Sequence, residues 1–322
     1  SLTLRGGYTV GNWTTSDPIA NPTTLHAQGL GRVAYVESGD VTLENLYVTG
    51  GVADNGGGIY NNLATLALSN TVVYSNAATD GGGVYIYDGV FTQNNGSFIA
   101  SNTAISNGGG IAINLGQAML NEGQIQDNRA GMHGGGAFVY QGVMTMSEGR
   151  ILSNRVDCNG GGVYVAQGHV TISDGQIFSN VAAANGGGMY IAYGHATLSG
   201  GQIFSNVATS NGGGVYVYTS TASFTQTDIS TISHNTAGVN GGGVHMNFGY
   251  ATLGGGRILS NTADYGGGIY VCRGSVMLRD SEILCNTAYQ NGGGLYVDAG
   301  HAMVDGGQIF SNTAQYGGGV FA

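Results

Sequence analysis

Residues 160–185 read GGGVYVAQGHVTISDGQIFSNVAAAN, and this stretch decides the fold. Three short segments in it, 163–165, 170–172 and 176–177, place apolar residues at every second position. That period is typical of half-buried strands, and nothing in the stretch has the length or the 3.6-residue period of a helix. Three strands per turn, separated by Gly, Asn, Ser and Ala corners, predict a parallel β-helix.

The triple glycine that opens this stretch recurs along the chain. It begins at positions 56, 81, 108, 134, 160, 186, 212, 241, 266, 292 and 317, so that successive starts are 25 to 29 residues apart. A fixed period in this range indicates a solenoid that repeats one supersecondary unit. We expect these glycines to permit positive φ and close backbone approach where each coil enters its first strand. The fold class predicted is all-β, a right-handed parallel β-helix with about 26 residues per coil.

Residues at one phase of the repeat should stack about 4.8 Å apart if the coils pair as parallel strands. Three residues before a recurrent Asn, every coil carries Ile or Val, which is the expected inward column. The Asn side chains can hydrogen-bond from coil to coil, and Asn also tolerates a left-handed corner. We predict that these residues form a structural ladder: Asn76, Asn102, Asn128, Asn154, Asn180, Asn206, Asn235, Asn261, Asn286 and Asn312. The small residues two positions later, mostly Ala, are interpreted as a tight corner.

The chain is predicted to form one continuous domain. Residues 56–322 carry the regular repeats, whereas residues 1–55 form irregular N-terminal coils. A loop between those coils holds Trp13, Pro18 and Pro22, and we expect it to cap the first coil, because terminal repeats of solenoids are often atypical.

The composition excludes several classes. Glycine supplies 62 of 322 residues, but with two prolines and no three-residue period the chain is not collagen. Hydrophobic residues make up 42% and charged residues 8%, the reverse of a disordered chain. A net charge of −10 without any lysine argues against nucleic acid and anionic membranes as partners. No segment has the length of a membrane span. Three cysteines without metal-like spacing are interpreted as thiols.

The repeat resembles that of bacterial secreted or surface-displayed right-handed β-helix proteins, in particular the polymorphic membrane protein repeats of autotransporter adhesins. Those repeats carry a GGA-I type motif followed by F-x-x-N. The matching residues here are 186–189, GGGM, with 203–206, IFSN, and their equivalents across residues 56–322. A third glycine replaces the small residue, and Ile replaces Phe three residues before the Asn. The resemblance implies an extracellular or cell-surface protein with an adhesive role.

The middle residue of each first strand should point away from the core, and this column is aromatic. Together with neighbours two residues further on, it gives a candidate face for binding partners: Tyr60, Tyr85, Tyr87, Phe138, Tyr140, Tyr164, Tyr190, Tyr216, Tyr218, Tyr270 and Tyr296. Ala112 and His245 interrupt the run. The column is consistent with a stabilising ladder and with a contact surface for cell-surface glycans or another protein.

A second outward column, on the second strand, is read as Thr145, Thr171, Thr197, Ser223 and Thr252. Such hydroxyl arrays resemble those of ice-binding solenoids, but the next column, which includes His169 and His195, shares no chemistry. We interpret the two histidines as an exposed stack.

An enzyme of the pectate-lyase-like class is the alternative hypothesis. It needs clustered carboxylates that act as acid and base or hold calcium. Glu122, Glu148 and Asp174 occupy one corner of three successive coils and are the candidates. Because nearly every repeat has the minimum length, few loops are available to wall a cleft. We therefore expect a non-enzymatic protein without a cofactor.

The final residues, Val320, Phe321 and Ala322, are predicted to present an unpaired strand edge that recruits a second copy end to end. The function expected from the sequence is thus an extracellular structural or adhesive rod. Its partners are itself, or glycans or proteins of a cell surface.

Overall fold

The computed structural model describes residues 1–94, 96–227 and 229–322. In these residues it contains strands, turns and bends but no helix, so no helix is available that could cross a membrane. The strands stack into four sheets, and all strand pairs within the sheets are parallel. The predicted all-β parallel solenoid is confirmed. The right-handed sense of the coil stays a prediction, in line with the general preference for right-handed parallel crossovers.

Sheets I and II each contain twelve strands. Sheet I is built from Ala34–Val36 and the eleven strands that follow the triple glycines: Ile59–Asn61, Val84–Ile86, Ile111–Ile113, Ala137–Val139, Val163–Val165, Met189–Ile191, Val215–Val217, Val244–Met246, Ile269–Val271, Leu295–Val297 and Val320–Phe321. Sheet II contains the next strand of each coil: Leu2–Arg5, Asp40–Glu44, Thr65–Ser69, Val90–Asn94, Gln117–Leu120, Val143–Met146, His169–Ile172, His195–Ser199, Ser223–Thr227, Tyr250–Gly254, Ser275–Arg279 and His301–Asp305.

Sheet III contains twelve strands and sheet IV ten. Sheet III carries the isoleucine column: Thr23–His26, Leu46–Thr49, Val72–Tyr74, Phe98–Ala100, Gln124–Gln126, Arg150–Leu152, Gln176–Phe178, Gln202–Phe204, Thr231–Ser233, Arg257–Leu259, Glu282–Leu284 and Gln308–Phe310. Sheet IV follows the recurrent Asn: Val52–Asn55, Ala77–Asp80, Thr103–Asn107, Arg129–Ala130, Arg155–Val156, Val181–Ala182, Val207–Ala208, Thr236–Ala237, Thr262–Tyr265 and Thr287–Asn291.

The register of the sheets stacks like residues on like. Ile177 pairs with Ile203 in sheet III, and Tyr164 pairs with Tyr190 in sheet I. The isoleucine column is 0% exposed from Ile99 to Ile283, as predicted. Branched side chains of one size therefore fill the interior of the coil as one continuous core.

The fourth sheet adds a short strand to most coils beside the three that were predicted. The Ala residues that follow the recurrent Asn, interpreted as a tight corner, lie within the strands of sheet IV, except for Ala314. Ala104, Ala130, Val156 and Ala182 pack as a small core of their own. Strands as short as two residues show no alternation that a sequence pattern can detect, which explains the difference.

The predicted asparagine ladder is confirmed. Asn180 is typical: its Nδ2 donates to Oδ1 of Asn206 at 3.0 Å, and its Oδ1 accepts from Nδ2 of Asn154 at 3.0 Å. The predicted left-handed corner is shifted by one residue, because positive φ occurs at the preceding position, for example at Ser179 (φ 55°). The Asn thus contributes hydrogen bonds, and the residue before it, usually Ser, makes the turn.

The triple glycine has two separate functions. The first glycine takes positive φ, as at Gly160 (φ 74°), where an L side chain is strained. The third lies against the neighbouring coil: a Cβ on Gly162 would lie 2.6 Å from the carbonyl oxygen of Gly188 and 2.8 Å from Cγ2 of Ile177. Both expectations for this motif are met.

Two coils are longer than most others, and both use a buried glutamine. Gln93 and Gln226 are 0% exposed, and each donates from Nε2 to a carbonyl oxygen four residues later, in Ser97 and Ser230. In the second of these coils, the sheet II register differs from the one predicted. Thr225, and not Ser223, pairs with Thr197, so the hydroxyl column is five consecutive threonines.

The N-terminal residues form the first coils through Leu2–Arg5 and Thr23–His26, which pair with Asp40–Glu44 and Leu46–Thr49. The loop between them is tied to the coil by Ser16, whose hydroxyl donates to the carbonyl oxygen of Gly6 and accepts from Nδ2 of Asn45. Trp13 stacks on Tyr8 and is 74% exposed.

Candidate functional site: the aromatic face of sheet I

The aromatic column of sheet I forms a stack of rings. From Phe138 the stack runs through Tyr164, Tyr190, Tyr216, His245, Tyr270 and Tyr296 to Phe321, with centroids 4.7–5.5 Å apart and interplanar angles of 19° or less. A shorter stack joins Tyr35, Tyr60 and Tyr85, with centroids 5.2 Å apart. Parallel pairing sets this spacing, because it repeats each side chain at the distance between neighbouring strands. Tyr35 belongs to the stack, although the predicted aromatic column begins only at Tyr60.

Stacking buries these rings although they point away from the core. Tyr190 and Tyr216 are 6% and 7% exposed, and His245 is 4% exposed between Tyr216 and Tyr270. Burial raises the pKa of Tyr85 and Tyr164 to about 12, and it raises the pKa of Tyr190 and Tyr216 further above the usual range of tyrosine. Burial also lowers the pKa of His245 to about 3. The ladder therefore consists of neutral rings in contact with one another.

The tyrosines beside the ladder are the accessible part of the face. Tyr87, Tyr140 and Tyr218 are 38–40% exposed, and Tyr193, which the sequence pattern did not single out, is 54% exposed. Tyr218 lies against the ladder, 6.0 Å from the ring of Tyr190 and 6.3 Å from that of Tyr216. An amphipathic ring at such a position offers an apolar face and a hydroxyl to a partner.

The ladder is interrupted at Ala112, which pairs with Tyr85 on one side and Phe138 on the other. A cavity of about 270 Å³ lies at this interruption. His133, one coil further on, does not fill it, because its ring stacks on Tyr164 with a centroid distance of 4.3 Å. The sequence pattern reveals the missing aromatic residue but not the cavity.

The threonine column of sheet II runs beside a column of mixed chemistry. His169 and His195 are neighbours there with ring centroids 5.1 Å apart, and both are exposed, as expected, but their rings are tilted by 43° and are not stacked. Nδ1 of His195 lies 2.7 Å from the hydroxyl of Ser223, which pairs with it in register.

The carboxylates proposed for the enzymatic alternative, Glu122, Glu148 and Asp174, are all exposed. Within the three described ranges of the chain, no group of three or more His, Cys, Asp or Glu side chains is arranged to hold a metal ion. Cys158 and Cys272 are partly buried free thiols, and Cys285 is free and exposed.

The residues predicted for end-to-end assembly lie at the last strand of sheet I. Val320 and Phe321 pair with Leu295 and Tyr296, and the ring of Phe321 stacks on Tyr296 at 5.1 Å. Val320 is 48% exposed.

Comparisons with protein-family models, curated proteins and solved structures find no match to this chain. The resemblance to adhesin repeats therefore rests on the glycine and asparagine motifs and on the parallel solenoid they form.

Proposed function

We propose that this chain is a non-enzymatic structural or adhesive rod of the cell exterior that contacts glycans or proteins through the aromatic face of sheet I. The observation that carries the proposal is the row of half-exposed tyrosines held beside a rigid ring stack. Tyr87, Tyr140 and Tyr218 each project from the same position of their coils, immediately after a sheet I strand. A face that presents rings two and three coils apart suits the planar rings of a glycan or the apolar groups of a protein.

The test changes the accessible tyrosines and leaves the ladder intact. A Tyr87→Ser, Tyr140→Ser, Tyr218→Ser triple variant should lose at least about tenfold in binding to glycan arrays or cell surfaces. A variant with Tyr250→Ser and Tyr289→Ser is the control, because these tyrosines are 56% and 68% exposed and belong to sheets II and IV. Equal binding by the triple variant and the wild type would remove this face from the proposal.

End-to-end association through Val320, Phe321 and Ala322 is a separate part of the hypothesis. The edge strand of sheet I carries the outermost ring of the ladder, so a second copy would extend the hydrogen bonds and the ring stack together. Electron microscopy of the purified chain should then show fibres with a continuous coil repeat. Single short rods at high concentration would contradict this part while leaving the binding face untouched.

A further inference from the structure

The interruption at Ala112 has the dimensions of one missing ring. Tyr85 and Phe138 lie on strands two steps apart, about 9.6 Å at the usual strand spacing, and elsewhere in the ladder one ring occupies the space between such neighbours. Ala112 forms the floor of the cavity and is 2% exposed. Tyr140 stands at the rim. The walls therefore include two aromatic side chains whose strands lie on either side of the position where the ladder lacks a ring.

A buried acceptor without a partner lies in the wall of the same cavity. Asn107 donates from its backbone N–H and from Nδ2 to Oδ1 of Asp80, at 3.0 and 2.9 Å. Because the carboxylate accepts only, this contact fixes the orientation of the amide, and Oδ1 of Asn107 is left buried with no hydrogen-bond partner. An unpaired buried acceptor is costly, and such groups in native structures call for an explanation.

The missing partner has a structural cause. In later coils, the Asn at this position donates to its predecessor: Nδ2 of Asn185 donates to Oδ1 of Asn159, and Nδ2 of Asn211 donates to Oδ1 of Asn185. After Asn107, the paired position is His133, whose ring has turned away to stack on Tyr164. Both the ring ladder and this second amide ladder thus break at the same place.

We propose that the cavity at Ala112 is a binding site for a neutral, planar heteroaromatic ring that carries an N–H donor. The ring lies between Tyr85 and Phe138 as the missing rung, and its N–H donates to Oδ1 of Asn107. The carboxylate of Asp80, 2.9 Å from Nδ2 of Asn107, disfavours an anionic ligand. This site shares Tyr140 with the accessible tyrosines, but the rings that form its walls, Tyr85 and Phe138, belong to the ladder.

The experiment uses indole as the probe and the full chain as the receptor, with isothermal titration calorimetry as the measurement. Indole should bind at a single saturable site. Ala112→Phe, which supplies the missing rung, should weaken indole binding at least tenfold. This variant should fold, because aromatic residues occupy the same position in nearly all of the other coils. Ala166→Phe, an added ring outside the cavity, should bind indole as the wild type does. 1-Methylindole, which has the same rings but no donor, should bind several-fold more weakly.

Three results would overturn the assignment: no saturable binding of indole to the wild type, equal binding by Ala112→Phe, or equal affinity for indole and 1-methylindole. Circular dichroism and thermal melting of Ala112→Phe show separately whether its coil is intact. A loss of indole binding with an unchanged melting profile is the supporting outcome.

Discussion

At the scale of single residues, the asparagine ladder shows how much one side chain can contribute. Asn180 is fully buried, accepts from the backbone N–H and the Nδ2 of Asn154, and donates to Ile151, Phe178 and Asn206. These bonds join three successive coils. Its neighbours have no water to replace them, so its loss leaves several buried groups unpaired.

We predict that Asn180→Ala lowers the free energy of unfolding by about 3 kcal/mol or more, because each buried group left unpaired costs roughly 1–3 kcal/mol. Asn312→Ala is the matched control: Asn312 accepts from Asn286 and donates to Ile283 in the same way, but it is only half-buried. Asn312→Ala should lower the free energy of unfolding clearly less than Asn180→Ala does, since water can reach the freed groups. Chemical denaturation of both variants is the measurement, and equal losses would contradict the role assigned to burial.

His245 couples the ladder to pH. Its imidazole stays neutral in the folded protein, where its pKa is about 3, whereas an unfolded histidine binds a proton below about pH 6.5. The stability present above pH 6.5 is therefore lost as the pH falls towards 3, by roughly 2–3 kcal/mol at pH 4.5.

We predict that His245→Phe, which keeps a ring between Tyr216 and Tyr270, removes most of this loss. Denaturation midpoints measured between pH 4 and pH 7 should change less with pH in the variant than in the wild type. His169→Phe, at an exposed histidine, is the control and should leave the profile close to that of the wild type. If the denaturation midpoint changes equally with pH in His245→Phe and in the wild type, His245 is not the buried group responsible for the loss of stability in acid.

At the scale of elements, the ring ladder makes sheet I sensitive to alkali. Its buried tyrosines keep their protons in the folded protein to higher pH than in the unfolded chain, where tyrosine ionises near pH 10. The stability present below pH 10 is therefore lost as the pH rises above that value.

We predict that Tyr190→Phe, which keeps the ring and removes the ionisable hydroxyl, gains stability relative to the wild type when the pH is raised from 7 to 11. Tyr289→Phe, at a tyrosine that is 68% exposed, should show no such gain. Thermal melting of the three proteins at the two pH values is the measurement. If Tyr190→Phe and the wild type lose stability equally above pH 10, the ladder does not control the alkaline transition.

At the scale of the whole molecule, contacts are made between adjacent coils, so stability should be close to a sum over coils and their interfaces. The sheets continue in register through the central coils, where Ile151, Ile177 and Ile203 pair in order. One coil can then be removed, and equivalent residues still pair between the two coils that become neighbours.

We predict that deletion of residues 160–185 leaves a folded solenoid that is one coil shorter, because Asn159 then precedes Gly186 just as Asn185 does in the full chain. Deletion of residues 160–172 is the control. It removes half a coil with its sheet I and sheet II strands, so the sheet III strand Gln176–Phe178 falls where a sheet I strand belongs. The first variant should keep the β-type circular dichroism and a cooperative melt, and the second should lose both. Loss of the fold in both variants would contradict independent stacking of the coils.

The sequence by itself determined the solenoid, because its decisive signals are local and repeated. The triple glycine, the isoleucine and the asparagine occur at fixed phase in every regular coil, and parallel pairing then places like on like. The inward isoleucines, the ladder of Asn180 and its equivalents, and the aromatic column of sheet I follow from that period.

The tertiary structure alone decided the features that depend on neighbours 26 residues away. The short strands of sheet IV exist because adjacent coils hydrogen-bond there, and the left-handed turn falls on Ser179 rather than Asn180. Two extra residues before the sheet II strand of one coil shift Thr225 into the threonine column. Beside the ring missing at Ala112, the ring of His133 stacks on Tyr164, and Oδ1 of Asn107 is left without a hydrogen-bond partner. The physical reason is common to all of these: a residue pattern fixes the direction of a side chain, whereas its burial and its partners are set by the coils above and below it.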